Sequence, residues 1–281
     1  MIISIIGLGL IGGSMALDLK EKGIAKKIIG VDKSDLNSSE ALKLGLVDEI
    51  CDLKMAVESA DIVIVSVPVD ATVLLLSQIL NAIKKKTAVM DVGSTKQFII
   101  ESVKVHPNRR YFVPSHPMSG TENSGPKAAI KNLFNNKVAI ICDKENSFDW
   151  AVERVEQVYR AFNARIIYMD AKSHDEHVGY VSHLSHVISY ALAVAVLEKE
   201  KSTSTIFDLA AGGFASTARL AKSSSEMWTP IFEQNAENIL PILDIYINKL
   251  EQFKEHLKSK DYSKVTDFIK EANRIRKVLD K

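Results

Sequence analysis

At 281 residues the chain is long enough for two domains with a core each. A hydrophobic share of 46%, a charged share of 25% and a net charge of +1 describe an ordinary globular chain. They exclude a disordered chain and a strongly basic nucleic-acid or membrane-surface binder. Cys51 and Cys142 stand far apart with no Cys-x-x-Cys, so neither a disulfide framework nor a zinc cluster is expected, and a reducing, cytoplasmic setting is. No basic segment precedes the apolar Ile2–Ile6 run, which argues against a secretory signal. The longest apolar run, Val187 to Leu197, reads as too short to span a bilayer and is interrupted by Ser189 and Tyr190.

Met1 to Ile6 has the pattern of a buried strand. Gly7-Leu8-Gly9-Leu10-Ile11-Gly12-Gly13-Ser14 follows, then a helical pattern through Lys22. This is G-x-G-x-x-G in its required strand, turn and helix context. Gly7 permits the turn, Gly9 lets the backbone approach a pyrophosphate, and Gly12 lets helix and strand pack closely. The helix start at Leu10 and Ile11 offers free N–H groups and a positive dipole end. A second strand, Lys27 to Val31, ends at Asp32, twenty residues after Gly12. An acid there accepts hydrogen bonds from ribose hydroxyls and repels a 2′-phosphate, which points to NAD rather than NADP.

The alternation continues. Helices are expected at Asn37–Leu44, closed by Gly45, at Leu53–Ser59, and at Asp70–Ile83 with Asp70 as N-cap. Strands are expected at Asp61–Pro68, apolar on both faces, and at Thr87–Val92, which exits through Gly93-Ser94-Thr95-Lys96. In a doubly wound parallel sheet the ligand lies beyond the carboxyl ends of the strands. Gly7, Asp32, Ser66, Val67, Pro68, Gly93 and Ser94 occupy such ends. After a short strand at Tyr111–Val113, the stretch Ser115 to Gly125 reads as a polar loop holding His116 and Glu122. A strand at Lys137–Ile141, a helix at Phe148–Phe162 and a strand at Arg165–Tyr168 close a first domain over residues 1–169.

Residues 170–281 read as all-helical. Ser173 to Lys199 is a long helix with an apolar middle, more hydrophobic than a surface helix, which suggests burial on several sides and a core shared with a second subunit. Further helices are expected at Ser204–Ala211, Ser216–Ala221, Glu226–Gln234, Ala236–Ser259 and Tyr262–Leu279, with Gly212-Gly213 separating the first two. Four histidines sit early in the long helix. Without HExxH, a nearby cysteine or a third ligand they do not read as a metal site, and none is expected. His174 and His177 read as exposed residues near the helix start. His183 and His186, with Ser182, Ser185 and Ser189, read as a polar stripe that needs partners, a substrate being one candidate.

These residues together resemble a family. The Gly7–Gly12 fingerprint, Asp91 to Lys96, Ser115 to Glu122, Ser182-His183-Leu184-Ser185-His186, Gly212-Gly213-Phe214 with Arg219, and Met227-Trp228 closely resemble the prephenate dehydrogenases of tyrosine biosynthesis, over essentially the whole chain. The resemblance implies an α/β chain, with a Rossmann-type NAD-binding domain followed by a helical dimerisation domain and assembly as a homodimer. It also implies oxidation and decarboxylation of prephenate to 4-hydroxyphenylpyruvate, hydride passing to NAD. It implies His116 as the base, with Ser94 bonding the substrate hydroxyl or holding the imidazole tautomer. Arg219 would bind a substrate carboxylate, His186 would contact substrate, and His183 and Glu122 would line or gate the pocket. Two positions depart from the family pattern: Ser216, where many members have an acid, and Ser185, where many have proline. An acid would favour the ammonium of arogenate, so Ser216 tilts the expectation to prephenate. No further segment is seen before Met1 or after the helices, so any feedback by tyrosine is expected at the active site. Alternative readings are an arogenate dehydrogenase, another two-domain reductase of the pyrroline-carboxylate or 3-hydroxyacid type, and a non-enzymatic NAD-binding regulator.

Overall fold

Runs of isoleucine and valine with no polar face make strands that are buried on both sides, and such strands pair in parallel under covering helices. The computed structural model describes residues 1–84, 86–201 and 206–279. In it β1 (Ile2–Ile6), β2 (Lys27–Val31), β3 (Glu49–Ile50), β4 (Ile62–Val65), β5 (Ala88–Asp91) and β6 (Phe112–Val113) form one parallel sheet in the order β3-β2-β1-β4-β5-β6. Ile3 pairs with Ile28 on one side and Ile62 on the other. The strand order reverses beside β1, so its carboxyl end, where the glycine turn begins, is the switch point that receives a ligand. Helices α1 (Leu10–Glu21), α2 (Asp35–Lys43), α3 (Leu53–Ser59), α4 (Val69–Ala82) and α5 (Gln97–Ser102) connect the strands. Ile62, Val63, Ile64 and Val65 are all fully buried, each worth about 1.5–3 kcal/mol of apolar burial.

Two local expectations change in this part of the chain. The N-cap of α4 is Pro68, not Asp70; Asp70 lies in the first turn, where its charge complements the helix dipole. The stretch that reads as a loop opens as a strand, β7 (Ser115–Pro117), antiparallel to β8 (Val138–Cys142), which is parallel to β9 (Arg165–Met169). These three form a sheet of their own, with α6 (Asp149–Ala161) between β8 and β9 in the chain. Pro117 is tolerated because β7 is the edge strand. A three-residue strand with a proline is too short to show alternation.

Asp170 caps the next helix, its side chain accepting from Ser173 N–H at 2.8 Å. α7 (Ala171–Val178) runs through a wider π turn, Gly179–His183, into α8 (Leu184–Glu200). The continuous helix Ala171–Glu200 is, by length and composition, long and apolar enough to cross a bilayer, contrary to the sequence expectation. It is also not buried on several sides within the chain. Only His186 and Ser189 of α8 are buried, while Val194 and Leu197 are exposed. The expected helix at Ser204–Ala211 begins outside the described residues, and what is described of it is one 3-10 turn at Phe207–Leu209. Gly212-Gly213 starts α9 (Gly212–Ala218) rather than preceding it, and a 3-10 turn, Arg219–Lys222, leads to α10 (Ser225–Gln234).

The chain divides into compact units at Met1–Asn235 and Ala236–Lys281. Trp228 and Ile231 of α10 pack with Val65, Leu76 and Phe112, so the helices up to Gln234 share a core with the parallel sheet. The second unit consists of α11 (Ala236–Lys258), α12 (Tyr262–Ala272) and α13 (Arg276–Leu279). α11 and α12 form a hairpin in which Phe253 and Phe268 meet edge to face, with ring centroids 5.3 Å apart.

Candidate active site

The turn after β1 leaves no space where the sequence has glycine for packing and leaves open space where it has glycine for approach. Gly7 has φ +97°, and a Cβ on it would stand 2.4 Å from the Ser66 carbonyl oxygen. A Cβ on Gly12 would stand 2.1 Å from the Gly7 oxygen. A Cβ on Gly9 would meet nothing within 4 Å. Gly9 is also the N-cap of α1, with no side-chain cap and no acidic residue in the first turn. The helix start at Leu10 and Ile11 therefore presents backbone N–H groups to a phosphate, and the residues fit a dinucleotide. The Ser66 hydroxyl is spent on the turn itself, donating to the Gly7 carbonyl at 2.6 Å. Asp32 holds the turn from the other side. Its Oδ2 accepts from Leu8 N–H at 2.8 Å and its Oδ1 from Ser34 N–H at 2.9 Å and Asn37 Nδ2 at 3.4 Å, so Oδ2 keeps a lone pair for a ribose hydroxyl. Val67 and Pro68 follow β4 at the same sheet edge, and Gly93 follows β5. Gly12→Ala is expected to weaken NAD binding at least tenfold and to cost about 1–3 kcal/mol of stability by overpacking. NAD titration and thermal melting check this.

The exit of β5 is tied to β7 by buried polar bonds. Asp91 accepts from Gly93 N–H at 2.9 Å and Ser115 N–H at 3.1 Å, and forms an ion pair with Lys96 in which both side chains are fully buried. The Ser115 hydroxyl donates to the Asp91 carbonyl at 2.7 Å and shares a 2.8 Å hydrogen bond with the Tyr159 hydroxyl. This bracing sets His116 on a rigid strand, opposite Ile140.

His116 is buried, and its Nδ1 lies 2.9 Å from Nε2 of His174. His174 Nδ1 lies 2.7 Å from the Asp175 carboxylate, which also accepts from Lys96 N–H at 2.8 Å and Gln97 N–H at 2.9 Å. His174 is thus fully buried at the centre of the site, not exposed at a helix start, while His177 is exposed. The imidazole of His116 is held by His174 rather than by Ser94. Ser94 is half-buried, and its backbone lies against His183. Burial holds His116 well below the ordinary histidine range, and the nearby His174, Lys96 and His183 add to this. The free enzyme therefore presents a neutral ring, with Nε2 left for chemistry.

Asn235, the C-cap of α10, bridges α7 to the π turn: its Nδ2 donates to the Asp175 carbonyl at 2.8 Å and to His183 Nδ1 at 2.9 Å. His183 is fully buried, and burial pushes it down to about 4. His186 stacks on Trp228 with centroids 3.4 Å apart, and its Nδ1 donates to the Ser182 carbonyl at 3.0 Å. Trp228 is buried against the sheet core, as a core residue should be. Burial lowers His186, and the Arg219 charge lowers it further. Arg219 Nη1 donates to Glu122 at 2.9 Å. Glu122 lies below the ordinary carboxylate range, through its own backbone N–H first and then Arg219. Glu122 caps no helix; Pro126–Ala128 is a single 3-10 turn. The site therefore combines an open phosphate-binding turn, a neutral buried imidazole, and an arginine whose carboxylate partner is exchangeable. Among the described residues, no group of three His, Cys, Asp or Glu side chains is placed to hold a metal ion.

Sequence reasoning missed His174, Asp175 and Asn235. The adjacent His-Asp pair was a usable signal, since a carboxylate beside an imidazole fixes a tautomer. Asn235 carried none.

A family model described as "Prephenate dehydrogenase, nucleotide-binding domain" matches residues 15–168, and one described as "Prephenate dehydrogenase, dimerization domain" matches residues 170–278. The prephenate dehydrogenase of Bacillus subtilis is 34% identical over 95% of this chain and 72% of its own length. The cyclohexadienyl dehydrogenase of Zymomonas mobilis is also 34% identical, over 99% of this chain and 95% of its own. The crystal structure of Aquifex aeolicus prephenate dehydrogenase with hydroxyphenyl propionate and NAD+ superposes with a TM-score of 0.87, at 28% identity, covering 99% of this chain and 98% of that one. An arogenate dehydrogenase from Synechocystis superposes at 0.75 with 25% identity, covering 99% and 100%. With both halves matched and relatives 34% identical over nearly all of this chain, it belongs to the prephenate dehydrogenase family.

Proposed function

We propose that this protein oxidises and decarboxylates prephenate to 4-hydroxyphenylpyruvate with NAD. The observation that carries the reading is the buried, neutral His116, with Nδ1 engaged and Nε2 free, on a strand braced to the end of β5. NAD held on Gly7, Gly9, Leu10, Ile11 and Gly12 supplies the hydride acceptor. Asp32 takes the adenosine ribose, and Ser66, Val67, Pro68 and Gly93 form the floor at the strand ends. His116 Nε2 accepts the ring hydroxyl proton, and the Ser94 hydroxyl orients that hydroxyl. A neutral base at physiological pH suits this task. Arg219 releases Glu122 to bind a substrate carboxylate, a fork geometry that guanidinium matches. His186 and His183 line the remaining wall. Loss of carbon dioxide and aromatisation of the ring drive the reaction, so the chain mainly has to bind, orient and take one proton.

Purified protein with NAD and prephenate is expected to produce NADH, faster than with arogenate. Production with arogenate alone would reassign the substrate, and no NADH with either would overturn the reading.

The protein acts as a homodimer through its helical part. The exposed Val181, Val194 and Leu197 around α8, and Leu240, Ile245 and Leu250 on α11, are apolar surface that a second copy covers. Sedimentation is expected to give twice the protomer mass, and a monomer at micromolar concentration would refute the assembly. Two free thiols suit a cytosolic enzyme.

A further inference from the structure

The hydrogen bonds behind His116 have a direction. Asp175 is an acceptor on every side. Its Oδ1 faces His174 Nδ1 at 2.7 Å and Lys96 N–H at 2.8 Å, and its Oδ2 faces Gln97 N–H at 2.9 Å. His174 must therefore carry its proton on Nδ1, which leaves its Nε2 as an acceptor. The 2.9 Å contact between the two rings then takes its proton from His116 Nδ1. His116 is the Nδ1–H tautomer, with the lone pair on Nε2.

We propose that His174 and Asp175 are positioning residues that form a proton relay behind His116. When the substrate O–H bond breaks and an N–H bond forms at His116 Nε2, the His116 Nδ1–H bond breaks and an N–H bond forms at His174 Nε2. The electron pair of the broken O–H bond stays on the substrate oxygen. His116 ends neutral, protonated on Nε2, and the cation rests on His174 against the Asp175 carboxylate. No atom in these transfers is oxidised or reduced. The inference rests on the proposed function for the identity of the proton donor.

The surroundings give the relay its purpose. The groups that face His116 are His174 from α7, Lys96 from the β5 exit and His183 from the π turn. None is an anion, and the Lys96 charge is already matched by Asp91. A cation held on His116 would be buried with no carboxylate bonded to its ring. His174 faces the same Lys96, but also Asp175 in direct contact and Asp91 nearby. Moving the charge one ring back puts it where a carboxylate compensates it. His174 and Asp175 are both buried, which keeps the pair out of bulk solvent.

The test is 15N NMR of histidine-labelled protein, with the His116 signals identified by their loss in His116→Asn. The expected spectrum has a protonated Nδ1 and an unprotonated Nε2 on His116. A protonated Nε2 in the free protein would overturn the relay. His174→Gln keeps an acceptor for His116 Nδ1–H but cannot take a proton. It is expected to lower kcat by about 10²-fold, at the lower end of what a general base contributes, with the KM for prephenate and NAD unchanged. The acid limb of kcat should move to lower pH, because the cation is then confined to the less basic His116. A role in packing alone would lower kcat without moving that limb, and that result would also overturn the relay. If His174→Gln does not fold, the tautomer in the unaltered protein decides. Absence of turnover with both prephenate and arogenate would overturn the proposed function instead, and the tautomer is measured without turnover.

Discussion

Replacing His116 with Asn is expected to lower kcat for prephenate about 10²–10⁴-fold, the range for loss of a positioned general base. NAD affinity should hold, because the glycine turn and Asp32 are built from other elements. Asn keeps a polar group on β7 opposite Ile140, so the strand should pair as before. Steady-state kinetics with an NAD titration separates the two effects, and retained turnover would remove His116 as the base. The same residue sets the pH dependence. Its proton affinity is held well below the ordinary histidine range, so the ring stays unprotonated as pH falls through 6.5. The kcat/KM profile of the unaltered enzyme should therefore show no acid limb from His116 near pH 6.5, and activity should fall only at distinctly lower pH. A limb centred at 6.5 would mean that the base is an ordinary, solvated histidine.

Arg219→Ala is expected to raise the KM for prephenate by about 10–100-fold, the equivalent of about 1.5–3 kcal/mol for hydrogen bonds to a charged group. The KM for NAD should not move. Arg219→Lys should restore only part of the loss, since an ammonium cannot make the two parallel bonds of a guanidinium. In the free chain Arg219 is half-exposed and paired with Glu122. Exposed pairs of this kind contribute little to stability. Exchanging Glu122 for a substrate carboxylate therefore costs little, and the arginine is kept oriented until substrate arrives. An unchanged KM in Arg219→Ala would leave the pair as a surface contact only.

The parallel sheet, its glycine turn and Asp32 were legible in the residues because each rests on a local requirement. A buried parallel strand needs branched apolar residues over five positions. A turn with φ of +97° at Gly7 needs glycine, and helix and strand can close at Gly12 only without a Cβ. His116 and Arg219 stood out by motif, and the structure sets Arg219 against Glu122, 97 positions apart in the chain. The setting of His116 was not legible. Its partner is 58 residues away, on a helix that reads as an exposed start, and no local pattern marks a histidine for full burial. The π turn was hidden for a related reason. Nine residues of regular helix would set His183 about 180° from His174, and the wider turn at Gly179–His183 changes that angle without changing composition. The long helix reversed its expectation in the same way. Its apolar middle was plain in the sequence, but the chain leaves Val194 and Leu197 exposed, so its own core does not account for them. The sequence by itself determined the cofactor platform, the family and the histidine proposed as the base. Only the tertiary structure decided which groups hold that residue neutral and oriented, because burial and tautomer depend on contacts between segments that no short-range pattern encodes.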